Sequence, residues 1–202
     1  MKPDPTIVWD LGNVLVNWSP RYLYDRIFQD PAERDWFLDQ VCTMEWHNSV
    51  DGGKPTAEAT RELSEKHPDR AHLIEAFYAR WREMFQGAIE GSVEILDELR
   101  RKNYPQYALT NWSAELFGQS RSDFPFLEWF DGIVLSGAEG FTKPDPRLYL
   151  RLLERYGLSA AHCLFIDDKA VNVEAAQNLG MDGILFSDPE ALRRDLALRG
   201  VL

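Results

Sequence analysis

The sequence predicts an α/β protein with a three-layer, Rossmann-like parallel sheet as core and an inserted all-α segment. Three observations lead there. In the second half of the chain, short apolar runs alternate with helical periods, as the strands and crossover helices of a parallel sheet do. One more apolar run, Thr6–Trp9, stands alone near the start. Between them, from Pro20 to Gln86, the pattern is helical and no strand signal interrupts it. The spacing divides the chain into a core of residues 1–16 and 88–202 and a helical insertion of residues 17–87.

Taken in order, Thr6-Ile7-Val8-Trp9 ends at Asp10-Leu11-Gly12-Asn13, as a buried strand entering a loop would. Pro20, Pro31 and Pro55 stand where first-turn prolines belong. Ile74, Phe77, Trp81 and Met84 recur at helical spacing and give one apolar face. After Gly87 the rhythm changes. Ser92 is placed to cap a helix carrying Ile95, Leu96 and Leu99, with a strand at Tyr107–Leu109 behind it. Ile133–Leu135 is the next strand, and Pro146 opens a helix with the stripe Tyr149, Leu152, Leu153 and Tyr156. Cys163–Ile166 is a strand stopped by Asp167-Asp168, and Val171, Ala175 and Leu179 mark the helix after it. Gly183–Phe186 is a last strand, and Pro189–Arg199 a solvated amphipathic helix bearing Arg193, Arg194 and Arg199.

Composition narrows the function. The 202 residues are 45% apolar, ordinary for a globular chain, and at this length roughly 70% of the surface is buried on folding. Thirty-three acidic against 22 basic residues leave a net charge of −11. That argues against nucleic-acid or anionic-membrane partners, which need a basic face, but not against a small anionic substrate, since a metal or one lysine reverses the local field. Two cysteines, Cys42 and Cys163, exclude a disulfide scaffold, and His67, His72 and His162 lack ligand spacing, so no zinc site is expected. No apolar run approaches ~18 residues and Met1–Pro5 has no leader-like apolar segment, which predicts a soluble, cytoplasmic protein. Monomer and homodimer both stay open.

Chemistry gathers at the predicted strand ends. Asp10 follows the first strand, Thr110-Asn111 the second, and Asp167-Asp168 the Cys163–Ile166 strand, while Lys143-Pro144 comes shortly after Ile133–Leu135. Singly, an Asp after a strand is more often a turn former than a nucleophile. Together, on one edge of one parallel sheet, where open α/β folds bind ligands, they supply carboxylates, a hydroxyl, an amide and a lysine.

These residues resemble the four motifs of the haloacid dehalogenase superfamily, in order: Asp10–Val14 after a strand, Thr110, Lys143 before a proline, and Asp167-Asp168 with Asn172 behind them. The resemblance runs from Ile7 to about Phe186 and is to the phosphatase members, such as glucose-1-phosphate phosphatases and the N-terminal phosphatase domains of epoxide hydrolases. It implies that residues 17–87 form a helical C1-type cap. It implies Asp10 as nucleophile, forming an aspartyl intermediate that water hydrolyses. It implies Mg²⁺ held by the Asp10 and Asp168 carboxylates and the Gly12 carbonyl, an oxygen set suited to that ion. Thr110 and the amides at Asn111 and Trp112, ahead of a helix capped by Ser113, would bind phosphoryl oxygens, Lys143 would offset charge in the transition state, and Asp167 and Asn172 would orient these groups. A small phosphorylated metabolite, such as a sugar or acyl phosphate, is then the expected partner.

The sequence departs from the phosphatase pattern at Gly12, where most members carry an Asp that protonates the leaving group. Losing a general acid typically costs ~10²–10⁴ in rate. In the insertion, Trp46 and His47, just before Asp51-Gly52-Gly53, are candidate substrate contacts, and His47 a candidate replacement acid. Asn17-Trp18 and Trp112 are candidate entrance residues. Two other readings stay open: a metal-independent 2-haloacid dehalogenase using Asp10, against which Asp167-Asp168 weigh, and a ligand-binding protein that lost turnover with the acid.

Overall fold

The first strand owes its central place to composition: Ile7, Val8 and Trp9 are all fully buried, so neither face meets water. A strand apolar on both faces belongs inside a parallel sheet covered on both sides. In the computed structural model, which describes residues 5–202, the elements run β1 (Thr6–Trp9), β2 (Val16–Trp18), α1 (Pro20–Tyr24), α2 (Pro31–Gln40), α3 (Met44–Asp51), α4 (Thr56–Lys66), α5 (Ala71–Ala79), β3 (Phe85–Ala88), α6 (Glu90–Arg101), β4 (Gln106–Thr110), α7 (Ala114–Ser120), β5 (Gly132–Leu135), α8 (Ser136–Glu139), α9 (Pro146–Tyr156), β6 (Cys163–Asp167), α10 (Ala170–Asn178), β7 (Asp182–Leu185) and α11 (Pro189–Leu198). The reading of Met1–Asp4 lies outside the described residues.

Five strands form one sheet in the order β5-β4-β1-β6-β7, every pair parallel. Alternation along β1 sends Ile7 and Trp9 to one face, packed with Ile95, Leu96, Leu99, Leu192 and Leu196 of α6 and α11. Val8 faces the other side, with Leu148, Tyr149 and Leu152 of α9 and Ala176 of α10. This is the expected three-layer core. Because β4 and β6 flank β1, the residues that end these three strands become neighbours at the point where the strand order reverses. Among the described residues no helix is long and apolar enough to cross a membrane.

Local details depart from the sequence reading. The stretch from Pro20 to Gln86 is not wholly helical: Phe85 and Gln86 belong to β3, which pairs antiparallel with β2. This two-stranded ribbon carries the chain from the sheet into the helical segment and back, so the expected boundaries at 16/17 and 87/88 fall inside its strands. The Ile74–Met84 stripe is buried as expected, but α5 ends at Ala79 and a 3₁₀ turn (Trp81–Met84) completes it. Pro20 and Pro31 occupy first turns, whereas Pro55 stands one residue before α4. Ser92 lies inside α6 with its hydroxyl buried and without a partner, and so is not the cap. Asp145 and Asp188 do cap, each accepting a backbone N–H in the first turn of α9 and α11.

Candidate active site at the carboxyl edge of the sheet

Asp10 leaves β1 into a tight loop that folds back on itself. The Leu11 carbonyl accepts from the amides of Leu15 and Val16, both at 2.9 Å, and the Asn13 amide donates to Val16 O at 2.7 Å. Asn13 holds φ at +56°, a left-handed conformation that Asn tolerates better than most residues, and its Oδ1 accepts from the Trp18 amide. The Gly12-Asn13 pair is thus turn chemistry that aims Asp10 across the strand ends. A side chain at Gly12 would meet nothing within 4 Å, so no clash keeps an acid out of that position.

Lys143 is the hub. Its Nζ lies 2.9 Å from Asp10 Oδ1 and 2.7 Å from Asp167 Oδ2, with all three side chains nearly or wholly buried. The Asp167 oxygens also accept from Asn172 Nδ2 at 2.9 and 3.0 Å, and Oδ1 accepts from the Lys169 amide at 2.8 Å. Asn111 clamps the lysine's backbone: its Nδ2 donates to Lys143 O at 3.0 Å and its Oδ1 accepts from Lys143 N at 2.7 Å. The Asn111 side chain is therefore committed to positioning Lys143 instead of pointing at a ligand. The Trp112 amide is committed as well, to Ser136 Oγ at 2.9 Å, and Ser113 precedes α7 without a side-chain capping bond.

Carboxylates crowd this edge. Oxygens of Asp10, Asp167 and Asp168 all lie within 4.8 Å of one another. Burial, with Asp167 and Asp168 nearby, pushes the Asp10 carboxyl up to about 7 against the pull of Lys143. Burial and then Asp167 raise Asp168. Burial opposes the charge on Lys143, yet Asp10 and Asp167 outweigh it and raise its pKa. Three carboxylates gathered on Lys143, with Lys169 also lining the cavity, form an all-oxygen set, the donor chemistry of a hard divalent cation. Asp167 has its oxygens filled by the Lys143 ammonium, the Asn172 amide and the Lys169 backbone N–H, which leaves the Asp10 and Asp168 carboxylates as the pair that fits such an ion, with Gly12 lining the same cavity.

One cavity joins these residues to the helical segment. Its volume is about 80 Å³, small beside the roughly 300–1,000 Å³ usual for small-molecule sites. Asp10, Gly12, Thr110, Asn111, Lys143, Asp168 and Asn172 line one side. Opposite them Trp18, His47, Trp81, Phe85 and Trp112 form a continuous aromatic wall, Trp18 stacking on His47 at 5.2 Å and Phe85 on Trp112 at 5.7 Å. Trp18 and Trp112 thus line the cavity, whereas Asn17, whose Oδ1 accepts the Tyr22 hydroxyl, is not among its lining residues.

Trp46 does not. It meets Phe77 edge-on at 5.0 Å, donates its Nε1–H to Ala59 O, and contributes nothing to the cavity wall. Adjacent helical residues point about 100° apart, so His47 on the cavity side requires Trp46 on the packing side. His47 is neither solvated nor acidic: burial, then Lys169, drives its pKa down to about 3, which leaves the ring neutral at pH 7. The sequence reading also passed over Asp51. Met44, His47, Asn48 and Asp51 all line the cavity, and their spacing is that of one helix face. That stripe was the available signal.

The sequence matches the haloacid dehalogenase-like hydrolase family over residues 7–186. The sesquiterpene phosphatase astK of Aspergillus oryzae is 39% identical over 102 residues, 50% of this chain and 52% of that protein. The chain spans about half the length of curated relatives of this kind. A haloacid dehalogenase-family enzyme of Bacteroides thetaiotaomicron, solved with magnesium and inorganic phosphate, superposes with a TM-score of 0.68 at 21% identity, covering 92% of this chain and 95% of that one. The L-2-haloacid dehalogenase of Xanthobacter autotrophicus, with chloropropionic acid covalently bound, gives 0.65 at 17% identity, covering 98% of this chain and 84% of that one. At these identities the two structures speak for the fold, whereas the family match spans almost the whole chain. The chain belongs to the haloacid dehalogenase-like hydrolases, an enzyme family.

Proposed function

We propose that this chain is a Mg²⁺-dependent phosphatase acting on a small organic phosphate. The observation that carries the reading is the junction of Asp10, Lys143 and Asp168 at the floor of one cavity: a carboxylate beside a buried lysine, with a second carboxylate in reach. A dehalogenase needs the first carboxylate but has no use for a hard-cation site. The phosphatase name of a relative and the magnesium and phosphate in a structural neighbour support the same reading.

In this mechanism a carboxylate oxygen of Asp10 attacks phosphorus and the ester oxygen leaves, giving an aspartyl phosphate that water hydrolyses. The Lys143 ammonium, held by Asp167, faces the charge that builds on the phosphoryl oxygens. Thr110, buried in the cavity floor beside Asp10, offers a hydroxyl to one of those oxygens. Asp10, Asp168 and the Gly12 carbonyl would hold Mg²⁺, which would supply positive charge to offset that of the phosphoryl group. Residues 17–87 act as a cap that closes the aromatic wall over the organic part of the substrate and excludes water.

The test is phosphate release from p-nitrophenyl phosphate and acetyl phosphate, with Mg²⁺ and with EDTA, for the unmutated chain and for Asp10→Asn. Release that needs Mg²⁺ and falls to background in Asp10→Asn is the expected result. Release indifferent to EDTA overturns the metal assignment, and metal-independent chloride release from a 2-haloacid would replace the reading with the dehalogenase one.

A further inference from the structure

We propose that Asp51, at the C-terminal end of α3, is the proton donor that this chain lacks at Gly12. The proposal rests on the phosphatase reading above and assigns the step that reading leaves without a residue. Asp51 lines the same cavity as Asp10, Thr110, Lys143 and Asp168, but it arrives from the helical segment. Phosphoryl transfer keeps the attacking and leaving oxygens roughly in line. With Asp10 attacking from the sheet edge, the leaving oxygen therefore points away from that edge, into the cavity that Asp51 also lines.

The carboxyl is held there by the core. Asp51 Oδ1 accepts the Ser113 amide at 3.2 Å, and the Asp51 carbonyl accepts Ser136 Oγ at 2.6 Å. Two residues on, Gly53 holds φ at +103° and passes so near Gly137 that a Cβ would lie 3.1 Å from the Gly137 carbonyl. The end of α3 is thus seated against the residues that follow β4 and β5, and its carboxyl is fixed relative to Thr110 and Lys143. The other oxygen, Oδ2, lies 3.5 Å from His47 Nε2, longer than a normal hydrogen bond, so an O–H there is not committed to the ring.

Protonation fits the task. Burial pushes Asp51 up to about 7, with Asp10 adding to the rise and the Ser113 amide, Lys169 and Lys143 opposing it. His47 on its own helix is neutral, and the ring's Nδ1 lies 3.2 Å from Tyr78 Oη on α5. Near neutral pH the group is therefore present as acid and as base in comparable amounts, the condition under which general acid–base catalysis works best. As an oxygen of Asp10 bonds to phosphorus, the phosphorus–oxygen ester bond breaks, and the leaving oxygen takes the Asp51 proton and departs as an alcohol. In the second step the Asp51 carboxylate removes a proton from the attacking water, the Asp10–phosphorus bond breaks, and inorganic phosphate and both starting side chains are restored.

Asp51→Asn separates this role from a structural one. The amide keeps an acceptor for the Ser113 N–H and has no acidic proton. An alkyl phosphate needs its leaving group protonated, whereas p-nitrophenolate leaves without help. The expected result is a fall of roughly 10²–10⁴ in kcat/KM on an alkyl phosphate and less than about tenfold on p-nitrophenyl phosphate. The basic limb near pH 7 of the alkyl profile should disappear with it. The ratio between the two esters, taken on one sample, does not depend on how much of the variant is folded. Equal losses on both esters overturn the proposal in favour of a purely positioning role, and an unchanged alkyl rate overturns it outright. Unmutated protein that turns over the aryl ester but not the alkyl one also overturns it and leaves the phosphatase reading intact. Failure of that reading is a different result, no phosphate release from either ester, and ends the proposal with it.

Discussion

Lys143 and Asp167 are almost without solvent contact, and such a pair is stable only because each partner is also satisfied elsewhere, the lysine by Asp10 and the aspartate by Asn172 and the Lys169 amide. Removing one charge from such a network leaves the other poorly compensated, a loss of about 3 kcal/mol or more for a buried pair. Asp167→Asn should therefore lower stability by about 3 kcal/mol in urea unfolding at pH 7 with EDTA, and an unchanged midpoint would show that the pair holds nothing. The same network explains why these positions were legible in the sequence. Asp10, Thr110 and Asp167-Asp168 each stand at the end of an apolar run, so a strand reading places them on one edge before any contact is known. His47 and Asp51 follow no strand. Their side of α3 is set by rotation of the helix, and a one-residue error there exchanges His47 for the packed Trp46.

At the scale of elements, the strands and long helices of the core were readable because their apolar runs and their proline and aspartate starts repeat the physics of burial and capping. The β2–β3 ribbon was not. Val16–Trp18 has three residues, too few to display alternation, and the pairing with Phe85–Ala88 spans almost 70 positions of sequence. Tertiary pairing, not local preference, makes these segments extended. Contact between α8 and the start of α7 was equally hidden, since only the backbone path shows that Gly137 is there to admit it. A Cβ at Gly137 would lie 2.7 Å from Ser113 Cα and 2.8 Å from Ala114 N, so backbone must move. Gly137→Ala should cost about 1–3 kcal/mol, with a melting-temperature drop of about 2–4 °C for each kcal/mol. Gly118, inside α7 with nothing within 4 Å of its would-be Cβ, is the contrast. Gly118→Ala should leave stability unchanged or raise it by up to about 1 kcal/mol. Equal melting of the two variants would show that the α7–α8 contact is looser than this geometry.

The whole molecule carries a net formal charge of −11 and buries several of the carboxyl groups in that count at its site, so its stability should depend on pH with a sign that this burial fixes. Asp10 and Asp51 titrate near 4 in an unfolded chain and near 7 in the folded one. A group whose folded pKa is raised contributes stability at low pH and loses it as pH climbs. His47 acts the other way, because its folded value of about 3 lies below the unfolded one, so its contribution grows as pH rises toward about 6.5. Between about pH 5 and 6.5 the folded state thus holds two protons that the unfolded state has released, and lacks one that the unfolded state still binds. The net excess of one proton means that unfolding free energy falls by about 1.4 kcal/mol per pH unit, roughly 2 kcal/mol across that window, in metal-free protein. Asp168, also raised, adds to the fall. Exposed carboxylates paired on the surface, such as Glu62 and Asp145, are held below their ordinary range and finish titrating under this window. Mg²⁺ bound at Asp10 favours its ionised form and removes one of the two excess protons, so the slope should flatten in Mg²⁺ and return in EDTA. Asp51→Asn should flatten it without any metal, by deleting the other. Urea unfolding at pH 5.0, 5.75 and 6.5, with and without Mg²⁺, measures both. A metal-free profile that rises through this window would mean that the site's carboxyl groups are already ionised in the folded protein, and that its negative charge is tolerated without a cation.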